Sequence, residues 1–597
     1  MQRALLILAA LLFVAAARAD LAEMDALFAK LPPGATVVDP RGVIAAGLSG
    51  AGAKGEVVSV EGQPFTEARR VVTERKPEHA YSINLGQRTT APVAEGDNLL
   101  AIFYARAVTP PAGGDEARSE LVFEKNGPPH DKSVTFNFSV GPRWTKFYVP
   151  FSARAAYAAG EAQVAFRAGY DPQTIELAGF QLLNYGRTVA RADLPYTPLN
   201  YKGREADAPW RAAAAERIEK LRKGDLTVVV VDAAGKPVPG ADVRVKMQRH
   251  AYGFGSAINA KLLLQQGKDA DRFRDVIARD FNKVVIENHL KWNLWEHDRQ
   301  TGPSAVAWLR GAGLDVRGHV LVWPGKKNMP KSVQPLFDQP EALRGAILNH
   351  IADIASFFRG QLVEWDVLNE PFTNHDVQKV LGDEVLADWF RAARAADPKA
   401  RLFINDYSIL ETGGLDTAHQ DHYFQTIKAI IDAGAPLEGI GIQGHFNDNL
   451  TPIPRLTEIL DRFATFGRPI QITELDVDVY DEQVQADYTR DFMTLVFSHP
   501  STNGILTWGF WEKAHWIPSA AMYRADWSLR PAGSAWYDLV FKKWWTPEQR
   551  AMSDARGEVK VRGFHGDYVV EVRVGADVAT EKMRLTGAAM REEITTP

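Results

Sequence analysis

Apolar positions along residues 35–190 fall in short runs that alternate with polar ones: Asn98 to Ala105, Ser133 to Val140, Lys146 to Phe151, Gln163 to Ala168 and Glu176 to Leu183. A period of two sends successive side chains to opposite faces, so these runs predict strands with one buried face. Turn-forming clusters such as Pro110-Pro111-Ala112-Gly113-Gly114 separate them, which predicts an antiparallel β-sandwich. After a linker, Trp210 to Leu221 reads as a short alanine-rich helix. Leu226 to Asp232 and Ala241 to Arg249, joined by the turn Ala233 to Gly240, read as a hairpin.

From Tyr252 the pattern changes to strands alternating with helices. Strands are predicted to begin at Tyr252, Lys283, Leu314, Leu362, Arg401, Glu438, Pro469 and Gly504, with helices such as Glu341 to Phe358, Val380 to Ala396 and Thr417 to Ala433 between them. This rhythm predicts a (β/α)8 barrel rather than a doubly wound sheet. No Gly-x-Gly-x-x-Gly loop follows the first strand, so a dinucleotide fold is not expected. Glu558 to Val561 and Asp567 to Val574 predict a small β-appendage. The expected organisation is a sandwich at 35–190, a barrel with its leading hairpin at 205–545, and the appendage at 546–597.

Met1 to Ala19 has Arg3, an apolar stretch from Ala4 to Ala16, and Ala17-Arg18-Ala19 as an A-x-A cleavage site. It reads as a signal peptide, with an uncleaved anchor as the alternative. The expected mature chain starts near Asp20 and works outside the cytoplasm, secreted or periplasmic, free of the membrane. Composition narrows the chemistry. The 597 residues include no cysteine, which excludes disulfides, thiolate metal sites and cysteine nucleophiles. Lysine and arginine number 69 against 74 acidic residues, a balance unlike the basic footprint of a nucleic-acid binder.

In a barrel the reacting groups sit at the C-terminal strand ends. Strand four ends in Asn369-Glu370-Pro371 and strand seven in Thr473-Glu474-Leu475-Asp476. Two carboxyls placed this way are the minimum for glycoside hydrolysis, one protonating the leaving oxygen and the other attacking or activating water. Further strand ends carry Glu287-Asn288-His289-Leu290-Lys291-Trp292, Arg317-Gly318-His319 with Trp323, Gln443-Gly444-His445, and Trp508 followed by Trp516. Polar groups that can fork onto neighbouring hydroxyls, with indole faces to cover a sugar ring, suit an oligosaccharide cleft. His319 and His445 also admit a metal-ligand reading, but lack the close spacing of such a site.

These segments, together with Phe254-Gly255-Ser256-Ala257-Ile258-Asn259, Trp365-Asp366-Val367-Leu368 and Asn405-Asp406, resemble glycoside hydrolase family 10, the retaining endo-β-1,4-xylanases, over about residues 205–545. The resemblance implies that Glu370 is the general acid/base and Glu474 the nucleophile of a double displacement, with carboxyls about 5–5.5 Å apart. It implies that Asn369, His445 and Asp476 support them. It places Glu287, Asn288, Lys291, His319, Trp323, Gln443, Trp508 and Trp516 on the substrate. No cofactor or metal is implied, the partner is a xylan-like polysaccharide, and a monomer is expected. Pro324 and Lys326 stand where the family has histidine and glutamine, and Phe510-Trp511-Glu512 is bulkier than its pattern; these changes lie near the sugar-binding subsites. A different β-1,4-glycan substrate, or a catalytically dead carbohydrate-binding barrel, are the alternatives; endo against exo action stays open. The sandwich resembles jelly-roll carbohydrate-binding modules through Trp144-Thr145-Lys146-Phe147-Tyr148-Val149-Pro150-Phe151 and Glu176-Leu177-Ala178-Gly179-Phe180, whose alternating aromatics read as core.

Overall fold

Alternating strands must bury their apolar faces against a second layer, and the first unit of the chain, up to Leu199, does so. The computed structural model describes residues 21–77, 79–112, 115–479 and 481–596; the expected signal peptide at 1–19 lies outside them. One sheet runs Ala53–Ser59, Glu67–Thr73, Gln173–Asn184, Asn98–Thr109, Thr145–Ser152, with Ala35–Thr36 added to Gln173–Asn184. The other runs Gly47–Ser49, Asn84–Arg88, Ala162–Arg167, Ala117–Lys125, Lys132–Val140. Between them, Phe103 and Phe147 of the first sheet meet Phe138 and Phe166 of the second, with centroids of the closest pairs 4.9–5.0 Å apart.

Two features of this unit depart from the sequence pattern. Ala117–Lys125 is a strand that alternation does not reveal, because both of its faces are covered: Leu121 and Phe123 are buried in the core, while Glu120 and Glu124 bond Arg167 at 3.0 and 2.8 Å. Of the aromatics expected in the core, Phe147, Tyr148, Phe151 and Phe180 are buried, but Trp144 is only half-buried. Its ring lies 4.9 Å from Phe65, and the Arg106 guanidinium is 4.9 Å from it.

The second unit starts at Asn200. Its helix Pro209–Leu221 precedes a closed parallel barrel of β1 (Gly253–Ile258), β2 (Lys283–Ile286), β3 (Asp315–Gly318), β4 (Glu364–Asn369), β5 (Arg401–Asp406), β6 (Gly439–Ile442), β7 (Ile470–Val477) and β8 (Thr502–Thr507). β8 pairs β1 in the register Gly253↔Gly504, so no edge is left open. Helices follow the strands on the outside. The stretch expected as one helix over Val380 to Ala396 is two, Asp376–Leu381 and Val385–Ala396. Gly382 ends the first at φ 81°, a left-handed conformation that favours glycine and stops a helix.

The expected hairpin does not form. Lys223–Val231 lies between Glu558–Phe564, antiparallel, and Ala589–Thr595, parallel, whereas Asp242–His250 joins a different sheet with Gln549–Met552, Gly566–Val574 and Asp577–Leu585. Contacts along the turn stop short of the second strand: Val231 bridges Pro237 and Val238 N donates to Val230 O at 2.9 Å, both partners lying before Asp242. Each carries a buried apolar face, and strands from beyond the barrel cover it better than a two-stranded ribbon can. The C-terminal appendage is therefore one half of a β-module whose other half precedes the barrel.

Candidate active site

Polar residues fill the lower part of the barrel interior. Glu364 of β4, fully buried, accepts from Lys283 (3.1 Å), Arg317 (3.2 Å), Arg401 (3.0 Å) and Gln471 (2.7 Å). Asp366, one step nearer the mouth, takes both Arg317 amino groups and His319 Nδ1 at 2.8 Å. The strands are thus tied together by charge pairs directly beneath the residues at their ends.

Glu370 is the first residue beyond β4. Its φ of 53° lies in the left-handed region, which costs a non-glycine residue about 1–2 kcal/mol. The turn is held by its backbone N–H donating to Asn405 O at 2.8 Å. The carboxyl then receives three side-chain donors: Gln443 Nε2 on Oε1 at 2.9 Å, with Trp323 Nε1 and Asn374 Nδ2 on Oε2, both at 3.1 Å. Burial is the largest influence on its pKa and pushes it up. The bond from Gln443 and the charge of His319 act against this, the charges of Glu474 and Asp406 add to it, and the net position is above the ordinary value.

Glu474 lies inside β7 and is 4% exposed. Asn405 Nδ2 donates to its Oε1 at 2.8 Å and to Asn369 Oδ1 at 2.9 Å, so one amide joins the nucleophile position to the residue before Glu370. His445 Nε2 meets Oε2 at 3.2 Å, and His445 Nδ1 meets Asp476 Oδ2 at 3.0 Å. A ring between two carboxylates must donate from both nitrogens, which requires the imidazolium. Burial disfavours that charge, but Asp476 and Glu474 outweigh it and hold the His445 pKa well above its usual value. In turn, burial pushes Glu474 up, while His445, the charge of His319 and the Asn405 bond more than compensate, leaving this carboxyl below its ordinary range. Two carboxyls pulled in opposite directions are the electrostatic signature of an acid and a nucleophile sharing one site.

The other expected residues gather around this pair with one qualification. Lys291 Nζ donates to Asn288 Oδ1 at 2.9 Å and lies 5.4 Å from the Trp323 ring. Burial lowers its pKa, opposed by Glu474, Glu287 and Glu370. Trp516 is 56% exposed, packs edge-on to His445 at 5.0 Å, and donates from Nε1 to Asp476 Oδ2 at 2.8 Å. Trp508, expected as a second roof, is only 8% exposed: it packs with Ala257, Val285 and Leu506 and edge-on to His319. Pro324 accepts from Val377 N at 3.1 Å, and exposed Lys326 donates its backbone N–H to Asp376 at 3.0 Å. Sequence reasoning missed Asn374 and gave Asn405 no role. Asn405 has a signal, as the last polar pair of β5 facing the mouth; Asn374 sits in an irregular loop and has none. Among the described residues no group of three or more histidine and acidic side chains is arranged to hold a metal ion.

Comparison with known proteins bears on the same region. Residues 243–538 match glycosyl hydrolase family 10. The anti-sigma-I factor RsgI6 of Acetivibrio thermocellus is 31% identical over 372 residues, covering 61% of this chain and 47% of that protein. Endo-1,4-beta-xylanase 1 of Arabidopsis thaliana is 30% identical over 59% of this chain and 37% of its own length. The chain therefore spans about half or less of these two relatives. An endo-1,4-beta-xylanase of Agaricus bisporus is 30% identical over 258 residues, 40% of this chain and 75% of that protein. Among solved structures, xylanase 10B from Thermotoga petrophila in complex with xylobiose aligns with a TM-score of 0.45 at 27% identity, over 49% of this chain and 95% of that one.

Proposed function

This chain belongs to glycosyl hydrolase family 10, and we propose that it is an exported, monomeric xylanase that cleaves internal β-1,4-xylosidic bonds with retention. The observation that carries this reading is the set of partners around two strand-end carboxyls: Gln443, Trp323 and Asn374 on Glu370, and Asn405 with the His445–Asp476 pair on Glu474; the same surroundings push Glu370 up and hold Glu474 down. In the first step Glu474 attacks the anomeric carbon while Glu370 gives its proton to the departing oxygen, leaving a glycosyl ester on Glu474. Glu370, now without its proton, stays ionised while the ester masks the charge of Glu474; it takes a proton from water as that water attacks the anomeric carbon, the ester bond breaks, and Glu474 is returned as a carboxylate and Glu370 as an acid. His445, paired with Asp476, keeps Glu474 ionised before attack. Asn369, aligned by Asn405, is placed to bond the sugar 2-hydroxyl, a contact that strengthens in the transition state. Lys291, Asn288, Glu287 and the exposed Trp516 supply polar forks and one indole face for the sugars beyond the cut.

A product profile on xylan, with rates on xylo- and cello-oligosaccharides, tests the reading. Short xylo-oligosaccharides from internal cleavage, and at least about tenfold faster turnover of the xylo-series, are expected. Faster cleavage of the cello-series would instead assign a glucan substrate, for which exposed Lys326 beside the site is the residue to examine first. Export is tested by the N-terminal sequence of the protein recovered outside the cytoplasm, expected to start at Asp20. Light scattering is expected to give the mass of one chain.

A further inference from the structure

Glu411 lies in the loop after β5 and is 4% exposed, yet among the described residues its carboxylate has no salt-bridge partner. Its bonds go to backbone amides instead. Oε1 accepts from Gly444 N at 2.8 Å and His445 N at 2.9 Å, and Oε2 accepts from Leu410 N at 2.9 Å. A buried carboxylate without a directly bonded cation is costly to keep, and an apolar residue would serve packing better. What it grips explains its retention. The turn 443–445 carries Gln443, which donates to Glu370, and His445, which bonds Glu474. Gly444 bends that turn at φ 94°, and the neighbouring strands meet it through Gln443 N to Asp406 O (2.9 Å), Glu474 N to Gln443 O (2.9 Å) and Asp476 N to Gly444 O (3.1 Å). None of these three contacts uses the amides of Gly444 or His445.

We infer that Glu411 is a positioning residue, a carboxylate clamp on the 444–445 backbone that sets the donors of both reacting carboxyls at once. It touches neither substrate nor the reacting atoms; it acts through Gln443 and His445. The inference rests on the hydrolase reading above, but its structural half can be measured without any activity.

The test compares Glu411→Met, which fills the volume without an acceptor, with Glu411→Gln, which keeps Oε1 for the amides of Gly444 and His445, loses the charge and gives up only the acceptor of Leu410 N. Turnover of 4-nitrophenyl xylobioside and amide hydrogen exchange of the segment 439–450 are measured on the full chain. The Met variant is expected to lose about 100-fold in kcat, with KM within about threefold, because displacement of about an ångström at a reacting group costs that much. Exchange at Gly444 and His445 is expected to quicken at least tenfold. The Gln variant is expected to stay within about tenfold of the parent in kcat, with unchanged exchange. A Met variant with parental kcat and exchange, or a Gln variant impaired as far as the Met variant, overturns the clamp. If the Met variant does not fold, Glu411→Thr, too short to reach the two amides, takes its place with the same expected losses; parental kcat and exchange in it, or a 100-fold loss in the Gln variant, overturns the inference. If the parent itself does not turn over the xylobioside, the substrate assignment fails, while unquickened exchange in the Met variant would still overturn the clamp.

Discussion

At the residue scale, the two carboxyls set how activity depends on pH. Glu474 must be ionised to attack, and its pKa is below the ordinary value, so activity is lost on the acid side only as pH falls through that lowered value. Glu370 must be protonated to donate, and its pKa is raised, so activity is lost on the basic side as pH rises through that higher value. The kcat/KM profile of the free enzyme is therefore expected to be a bell wider than two unperturbed glutamates would give. Gln443 donates to Glu370 and holds its pKa down. The substitution Gln443→Met is expected to move the basic limb up by about one to two pH units, the worth of one hydrogen bond to a charged form, while the acid limb stays in place. A basic limb that stays put or moves down would contradict the assignment of Glu370. The two glutamates stood out because each falls at the C-terminal end of a predicted barrel strand; Glu370 follows β4 as expected, whereas β7 runs on past Glu474 to Val477. Asn374 and Glu411 were not: both lie in irregular loops, and the partners of Glu411 are backbone amides, which leave no mark in a sequence.

At the element scale, periodicity located all eight barrel strands to within two residues of their starts, since each is a buried run bounded by helices. It failed where partners are remote. Lys223–Val231 and Asp242–His250 are adjacent in sequence and look like a hairpin, but the strands that cover them come from beyond residue 548. Trp508, expected over the sugars, packs on Ala257 and Val285 and stands edge-on to His319 and His445, a packing that leaves no mark in the sequence. The barrel strands also carry a charge cluster centred on Glu364, with Lys283 and Arg317 buried and Arg401 reaching in from the surface. Glu364→Leu removes the shared acceptor and leaves Lys283 and part of Arg317 buried without it. A loss of about 3–5 kcal/mol is expected, read as a fall of several degrees in the calorimetric transition of the barrel-bearing unit. An unchanged transition would show that Asp366 and Gln471 suffice to balance those cations.

At the scale of the whole molecule, every residue of the site lies in the unit from Asn200 onward, and the family match falls inside the same unit. The chain from residue 200 to 597 is therefore expected to keep kcat/KM on soluble xylohexaose within about twofold of the full protein. A loss of tenfold or more would mean that the sandwich takes part in turnover of short substrates. The shorter chain must include the strands beyond the barrel, because Lys223–Val231 and Asp242–His250 are paired to them.

Double displacement leaves a covalent intermediate on one named side chain. Incubation with a 2-deoxy-2-fluoro xylobioside bearing an activated leaving group, followed by peptide mapping by mass spectrometry, reads it directly. One sugar ester per chain, carried on Glu474, is expected to accumulate as activity is lost. A label on any other residue, or steady turnover with no ester and an inverted product anomer, would contradict it.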